Sequence, residues 1–110
     1  MYYPNIDINI LNNNNDTPLI VSAGYGCEKC VEILLKHNAK TDIQNKQGNT
    51  ALMMACLNNK YKCVNLLLNY NSNLKLKQNN NKTALEIAAK YESYESISII
   101  IEYLGMYPFY

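Results

Sequence analysis

The sequence predicts an all-α solenoid of helix–turn–helix pairs joined by hairpin or turn loops. Two observations carry this. Five columns of residues recur at a spacing of 33 along the chain: Thr17, Thr50 and Thr83; Leu19, Leu52 and Leu85; Val31, Val64 and Ile97; Leu34, Leu67 and Ile100; Leu35, Leu68 and Ile101. Within each period two apolar segments of helical spacing are followed by a polar stretch rich in Asn. A period of this length marks stacked supersecondary units, each burying its apolar face against the next.

The first helix of each unit opens at the recurring threonine. The segments are Thr17-Pro18-Leu19-Ile20-Val21-Ser22-Ala23, Thr50-Ala51-Leu52-Met53-Met54-Ala55-Cys56 and Thr83-Ala84-Leu85-Glu86-Ile87-Ala88-Ala89. A threonine hydroxyl can accept a backbone N–H that the first turn leaves free. Pro18 suits the first helical position, where no N–H is needed. Thr83 and Glu86 have the spacing of a reciprocal capping box. The small pairs Ser22-Ala23, Ala55-Cys56 and Ala88-Ala89 let neighbouring helices approach closely.

The second helix carries Cys30-Val31-Glu32-Ile33-Leu34-Leu35, Cys63-Val64-Asn65-Leu66-Leu67-Leu68 and Ser96-Ile97-Ser98-Ile99-Ile100-Ile101. Apolar residues at i+3 and i+4 give each a wide buried stripe. The polar stretches that follow, from Asn38 and from Asn71, lack a helical period and read as an extended hairpin or a turn.

These residues resemble the ankyrin repeat family. The resemblance rests on the 33-residue period, on Thr17-Pro18-Leu19 at a helix start, and on the Cys-Val-x-[Ile/Leu]-Leu-Leu pattern of the second helix. It also rests on Asn45-Lys46-Gln47-Gly48-Asn49-Thr50, which is similar to the family's Asp-x-x-Gly-x-Thr hairpin tip. The implied units are 12–44, 45–77 and 78–104, with a partial unit or cap at 1–11 and an aromatic tail at 105–110.

Departures from the family pattern carry their own expectations. The family's His three residues after the Thr is Ile20, Met53 and Glu86 here, which implies looser hairpin tips. The Gly that separates the paired helices is Gly26, Asn59 and Glu92. Glu is unfavourable at positive φ, so an altered turn is expected in the third unit. Two further family Gly sites fall on Asn5, Asn38 and Asn71, and on Asn15, Gly48 and Asn81. Asn tolerates positive φ better than other non-Gly residues, so these asparagines read as structural.

Composition narrows the function. The 110 residues are 48% hydrophobic, enough for one packed domain. Eighteen are Asn, ten Tyr, eleven Ile and ten Lys, with no Arg, which fits an AT-rich genome. Net charge is +1, unevenly spread: −3 over residues 1–35, +7 over 36–90 and −3 over 91–110. Without Arg there is no bidentate reader of guanine, so nucleic acid is not expected. Lys46, Lys77, Lys82 and Lys90 read either as a solvated face or as contacts for an acidic protein partner.

No membrane partner is expected, since the longest apolar run, Ala51 to Leu57, is too short to span. The start, Met1-Tyr2-Tyr3-Pro4, has no basic region and no apolar stretch after it, so no signal peptide is expected. A cytoplasmic or nuclear compartment is expected, and entry into a host cell without a leader stays open.

No catalytic set, cofactor or metal site is expected. His37, the single His, suits the last turn of a helix, where a cation complements the dipole. Cys27 and Cys30 form a CxxC with Cys56 and Cys63 elsewhere. Zinc would need all four together. Their columns place three in the core and only Cys27 near solvent.

The resemblance implies a protein-binding module, an adaptor among its uses, whose concave surface is built from hairpin tips and first helices. Mapped onto this sequence, the contact positions are Leu11, Asn13, Asn14, Asp16 and Tyr25 in the first unit. In the second they are Gln44, Lys46, Gln47, Asn49, Leu57 and Asn58. In the third they are Lys77, Asn79, Asn80, Lys82, Lys90 and Tyr91. Tyr25 and Tyr91 share a column, and Tyr offers contact area at low entropic cost. The alternative is an architectural segment of a longer array that self-associates through Tyr-rich ends, among them Tyr2, Tyr3, Tyr103, Tyr107 and Tyr110.

Overall fold

The computed structural model describes residues 7–105. Calls on Tyr2, Tyr3, Asn5 and the tail beyond Gly105 lie outside these residues. Six helices follow in order: α1 (Pro18–Tyr25), α2 (Glu28–Lys36), α3 (Ala51–Leu57), α4 (Tyr61–Asn69), α5 (Ala84–Lys90) and α6 (Tyr94–Tyr103). Each odd helix packs on the even helix after it. The odd helices also stack α1 on α3 on α5, and the even ones α2 on α4 on α6. The result is two helical layers.

The core lies between them. Leu19, Leu52, Val31, Val64, Leu35, Leu68, Leu67 and Ile100 are buried, as are Ala23, Ala55 and Ala88 where the helices meet. The columns fade towards the last pair, where Leu85, Ile97 and Ile101 are half-buried because no further pair covers them among the described residues.

The three threonines cap the first helices as expected. Thr17 Oγ1 accepts from Ile20 N at 3.1 Å, Thr50 from Met53 N at 3.2 Å and Thr83 from Glu86 N at 3.3 Å. Glu86 returns the contact, accepting from Thr83 N at 2.9 Å. The second unit has a weaker version, with Met53 Sδ accepting from Thr50 N at 3.4 Å. Sulfur is a poor acceptor, but the site is buried and no water competes.

Every helix pair turns the same way. The residues at 26, 59 and 92 have φ of 75°, 52° and 55°. In each case the next N–H reaches five residues back: Cys27 to Ser22 O, Lys60 to Ala55 O and Ser93 to Ala88 O. The altered third turn is therefore a correction: Glu92 takes the left-handed conformation, because two N–H···O=C bonds to the end of α5 outweigh its strain. Asn38 and Asn71 end the second helices in the same manner, at φ 66° and 67°.

The loops between pairs are turns; no strand occurs among the described residues. Each tip closes on itself and then on the next. Asn12 Oδ1 accepts from Asn14 N and Asp16 N, and Asn45 Oδ1 from Gln47 N and Asn49 N. Gln78 Oε1 accepts from Asn80 N. These amides brace the tips from within, so losing the family's His does not leave them unsupported. Asn15, Gly48 and Asn81 sit at positive φ in the tips, as the sequence predicts.

Candidate functional site

A groove of about 600 Å³ runs between the first helices and tips of units one and two. Its floor is apolar: Ile20, Val21, Met54 and Leu57. Its rim is polar, with Asn12, Asn14, Asp16, Asn45, Gln47, Asn49 and Asn58. Tyr25 stands at one end, 82% exposed. Burying such a surface would bring Tyr into contact at little entropic cost, while the rim amides offer donors and acceptors.

Seven residues expected to contact a partner meet here: Asn14, Asp16, Tyr25, Gln47, Asn49, Leu57 and Asn58. They are not equally free. Asn49 points inward at 9% exposure and its Oδ1 accepts from Gln78 Nε2 at 3.3 Å. Asp16 accepts from Asn45 Nδ2 at 2.8 Å. Gln47 and Asn14 exchange amide hydrogen bonds at 3.0 and 3.2 Å. Asn58 Nδ2 donates to Gly24 O at 2.9 Å. These contacts cross between units and hold the rim rigid. Tyr25 and Leu57 are the large side chains left to engage a ligand.

Leu11 and Asn13 are exposed in the first tip, outside the groove. The other expected residues lie along the tips towards unit three. Lys46 N donates to Asn14 O, and Lys46 O accepts from Asn79 Nδ2 at 2.7 Å. Lys77 O accepts from Gln44 Nε2 at 2.9 Å. The Lys46 and Lys77 side chains and Asn80 are exposed, and Lys82 is half-buried. Lys90 Nζ lies 5.6 Å from the centre of the Tyr91 ring, a cation–π pair on the surface. None of these joins the groove.

Sequence reasoning missed Gly24, Val21 and Met54. Gly24 occupies the column of Leu57 and Lys90, and a Cβ there would meet Met54 Cε at 3.6 Å. A side chain at this column would fill the space beside Met54 and Asn58, so its absence in unit one opens the groove. The break in a column of large residues was the available signal.

The cysteines need a correction. Cys30 is exposed and Cys27 half-buried, while Cys56 and Cys63 are buried. The column of Cys30, Cys63 and Ser96 faces the preceding pair. Ser96 Oγ donates to Asn59 Oδ1 at 2.9 Å, in the turn before α4. Among the described residues no helix precedes α1, so Cys30 meets solvent. Among those residues no three His, Cys, Asp or Glu side chains gather where a metal could bind. His37 caps α2, its ring Nδ1 2.8 Å from Ile33 O.

A family model of ankyrin repeats, in three copies, matches residues 1–78 and 40–108. The chain belongs to the ankyrin repeat family. Ankyrin repeats are generally protein–protein interaction modules and typically not enzymes. No curated protein matches the chain. Among the described residues no helix is long and apolar enough to cross a membrane.

Proposed function

We propose that this chain binds a protein or peptide segment along the concave face. An apolar side chain of the partner enters between Tyr25 and Leu57, and acidic residues beyond it meet the edge formed by Lys46, Lys77, Lys82 and Lys90. The observation that carries this reading is the groove itself: an apolar floor open to solvent, with a rim made rigid by amide pairs across two units. A rigid rim reduces the ordering cost of binding. The lysine edge steers an acidic partner and fixes its direction more than it adds affinity. No chemistry is involved.

The test compares three baits on lysate of the native cell: the wild type, a variant with Tyr25, Lys46, Leu57 and Tyr91 changed to Ala, and a back-face control, Lys36→Ala with Asn69→Ala. Far-UV circular dichroism checks that all three fold. The reading expects a partner held by the first and third and lost by the second. Equal capture by all three overturns it.

A second reading is self-association. It is favoured by Tyr94, Tyr103 and Leu104, which are 62%, 47% and 45% exposed on the last helix and its end. Light scattering that reports a monomer at every concentration excludes it.

A further inference from the structure

Cys27 and Cys30 are the one pair of nucleophilic side chains in contact among the described residues. Their sulfurs lie 2.6 Å apart, both thiols are free, and neither residue is buried. Cys27 is the N-cap of the nine-residue helix α2, with φ −77° and ψ 89°, and Cys30 stands in its first turn. Residues three apart on a helix share a face, so the pair can close with little backbone movement.

We propose that Cys27 and Cys30 form a redox-reactive dithiol that exchanges reversibly with low-molecular-weight disulfides. Cys27 attacks first and Cys30 resolves. The Cys27 thiolate attacks one sulfur of RS–SR; that S–S bond breaks, a Cys27–SR bond forms, and RS⁻ leaves to take a proton from water. Cys30 loses its proton to solvent and attacks the Cys27 sulfur. The Cys27–SR bond breaks, the protein disulfide forms, and a second RS⁻ leaves. Two protein thiols are oxidised and RS–SR is reduced to two RSH.

The order of attack follows from position. The two thiols are hydrogen-bonded. Once Cys27 is a thiolate the Cys30 thiol donates to it and the Cys30 backbone N–H adds to this, holding the Cys27 thiol below its ordinary value despite the nearby Glu28 carboxylate. The same contact raises Cys30. The remaining thiols are poor competitors: burial pushes Cys56 up to about 12 and Cys63 up to about 11. A thiol buried in apolar surroundings is inert, whereas one at a helix N-terminus is activated. Cys27 and Cys30 do not line the groove, so this inference stands apart from the binding reading.

The 110-residue chain is incubated with glutathione disulfide and analysed by intact mass and peptide mapping. The expected result is loss of two hydrogens, a Cys27–Cys30 crosslink that excess reduced glutathione reverses, and Cys56 and Cys63 alkylated only after unfolding. In C30S, glutathione should remain on Cys27 as a stable mixed disulfide. In C27S, Cys30 lacks the backbone N–H that favours the Cys27 thiolate, so its adduct should form more slowly than the Cys27 adduct of C30S. Four free thiols after prolonged excess oxidant, a crosslink through Cys56 or Cys63, or equal rates in the two variants would overturn the proposal. The wild-type arm decides the matter even if a serine variant folds poorly.

Discussion

Replacing Glu92 by Gly should stabilise the protein. Glu92 holds φ at 55° between α5 and α6. A side chain in the left-handed region costs roughly 1–2 kcal/mol, which Gly does not incur. Two terms oppose the gain. Gly loses more chain entropy on folding, roughly 0.5–1 kcal/mol. The substitution also removes the carboxylate that accepts from Tyr94 Oη at 2.8 Å, an exposed contact of little net worth. The balance is a gain of about 0.5–1 kcal/mol, or a Tm rise of about 2–5 °C for a domain of this size. Urea titration followed by circular dichroism reads this as a higher midpoint at unchanged slope. Glu92→Ala serves as control, since it loses the Tyr94 contact and keeps the strain, and it should gain nothing. A Gly variant no more stable than the Ala variant would refute the argument that position 92 carries left-handed strain.

Three further outcomes follow from the packing. Leu52→Ala removes a fully buried side chain in the central unit and should cost about 2–5 kcal/mol in urea unfolding. Gly48→Ala places a Cβ 2.6 Å from Asn79 Oδ1 and 2.7 Å from Asn79 N at φ 83°. It should cost about 2 kcal/mol or more and speed hydrogen exchange at Asn79 N, which donates to Gln47 O. Acid should weaken the fold through Glu86 and Glu95. Glu86 is held below its ordinary value by the Thr83 backbone N–H, and Glu95 by the Asn59 side-chain amide. A depressed carboxyl contributes stability above its unfolded value and loses it as pH falls through the folded one. The urea midpoint should therefore drop as pH falls below about 5, and Glu86→Gln should flatten part of that slope.

Much of this fold was legible in the sequence because each unit repeats one local solution. The Thr caps, the apolar stripes and the left-handed Asn38 and Asn71 depend on their own few neighbours, so a 33-residue pattern exposes them. Features set by the next unit were harder to read. Cys30 shares a column with the buried Cys63, yet it is exposed because burial comes from the preceding pair rather than from the stripe. Asn49 looks like a polar tip residue, but Gln78 from the next tip draws it inward. Glu92 breaks a composition rule because two backbone hydrogen bonds impose the turn. The groove depends on a side chain that Gly24 lacks, which an inventory of contact-capable residues passes over.

The concave-face reading is tested most directly by amide hydrogen exchange on this chain, free and bound to the partner retained by the wild-type bait. The account predicts added protection in segments 12–25 and 45–58, around Tyr25 and Leu57, with α2 and α4 unchanged. Protection confined to α2, α4 or α6, with the groove segments exchanging as in the free chain, would contradict it.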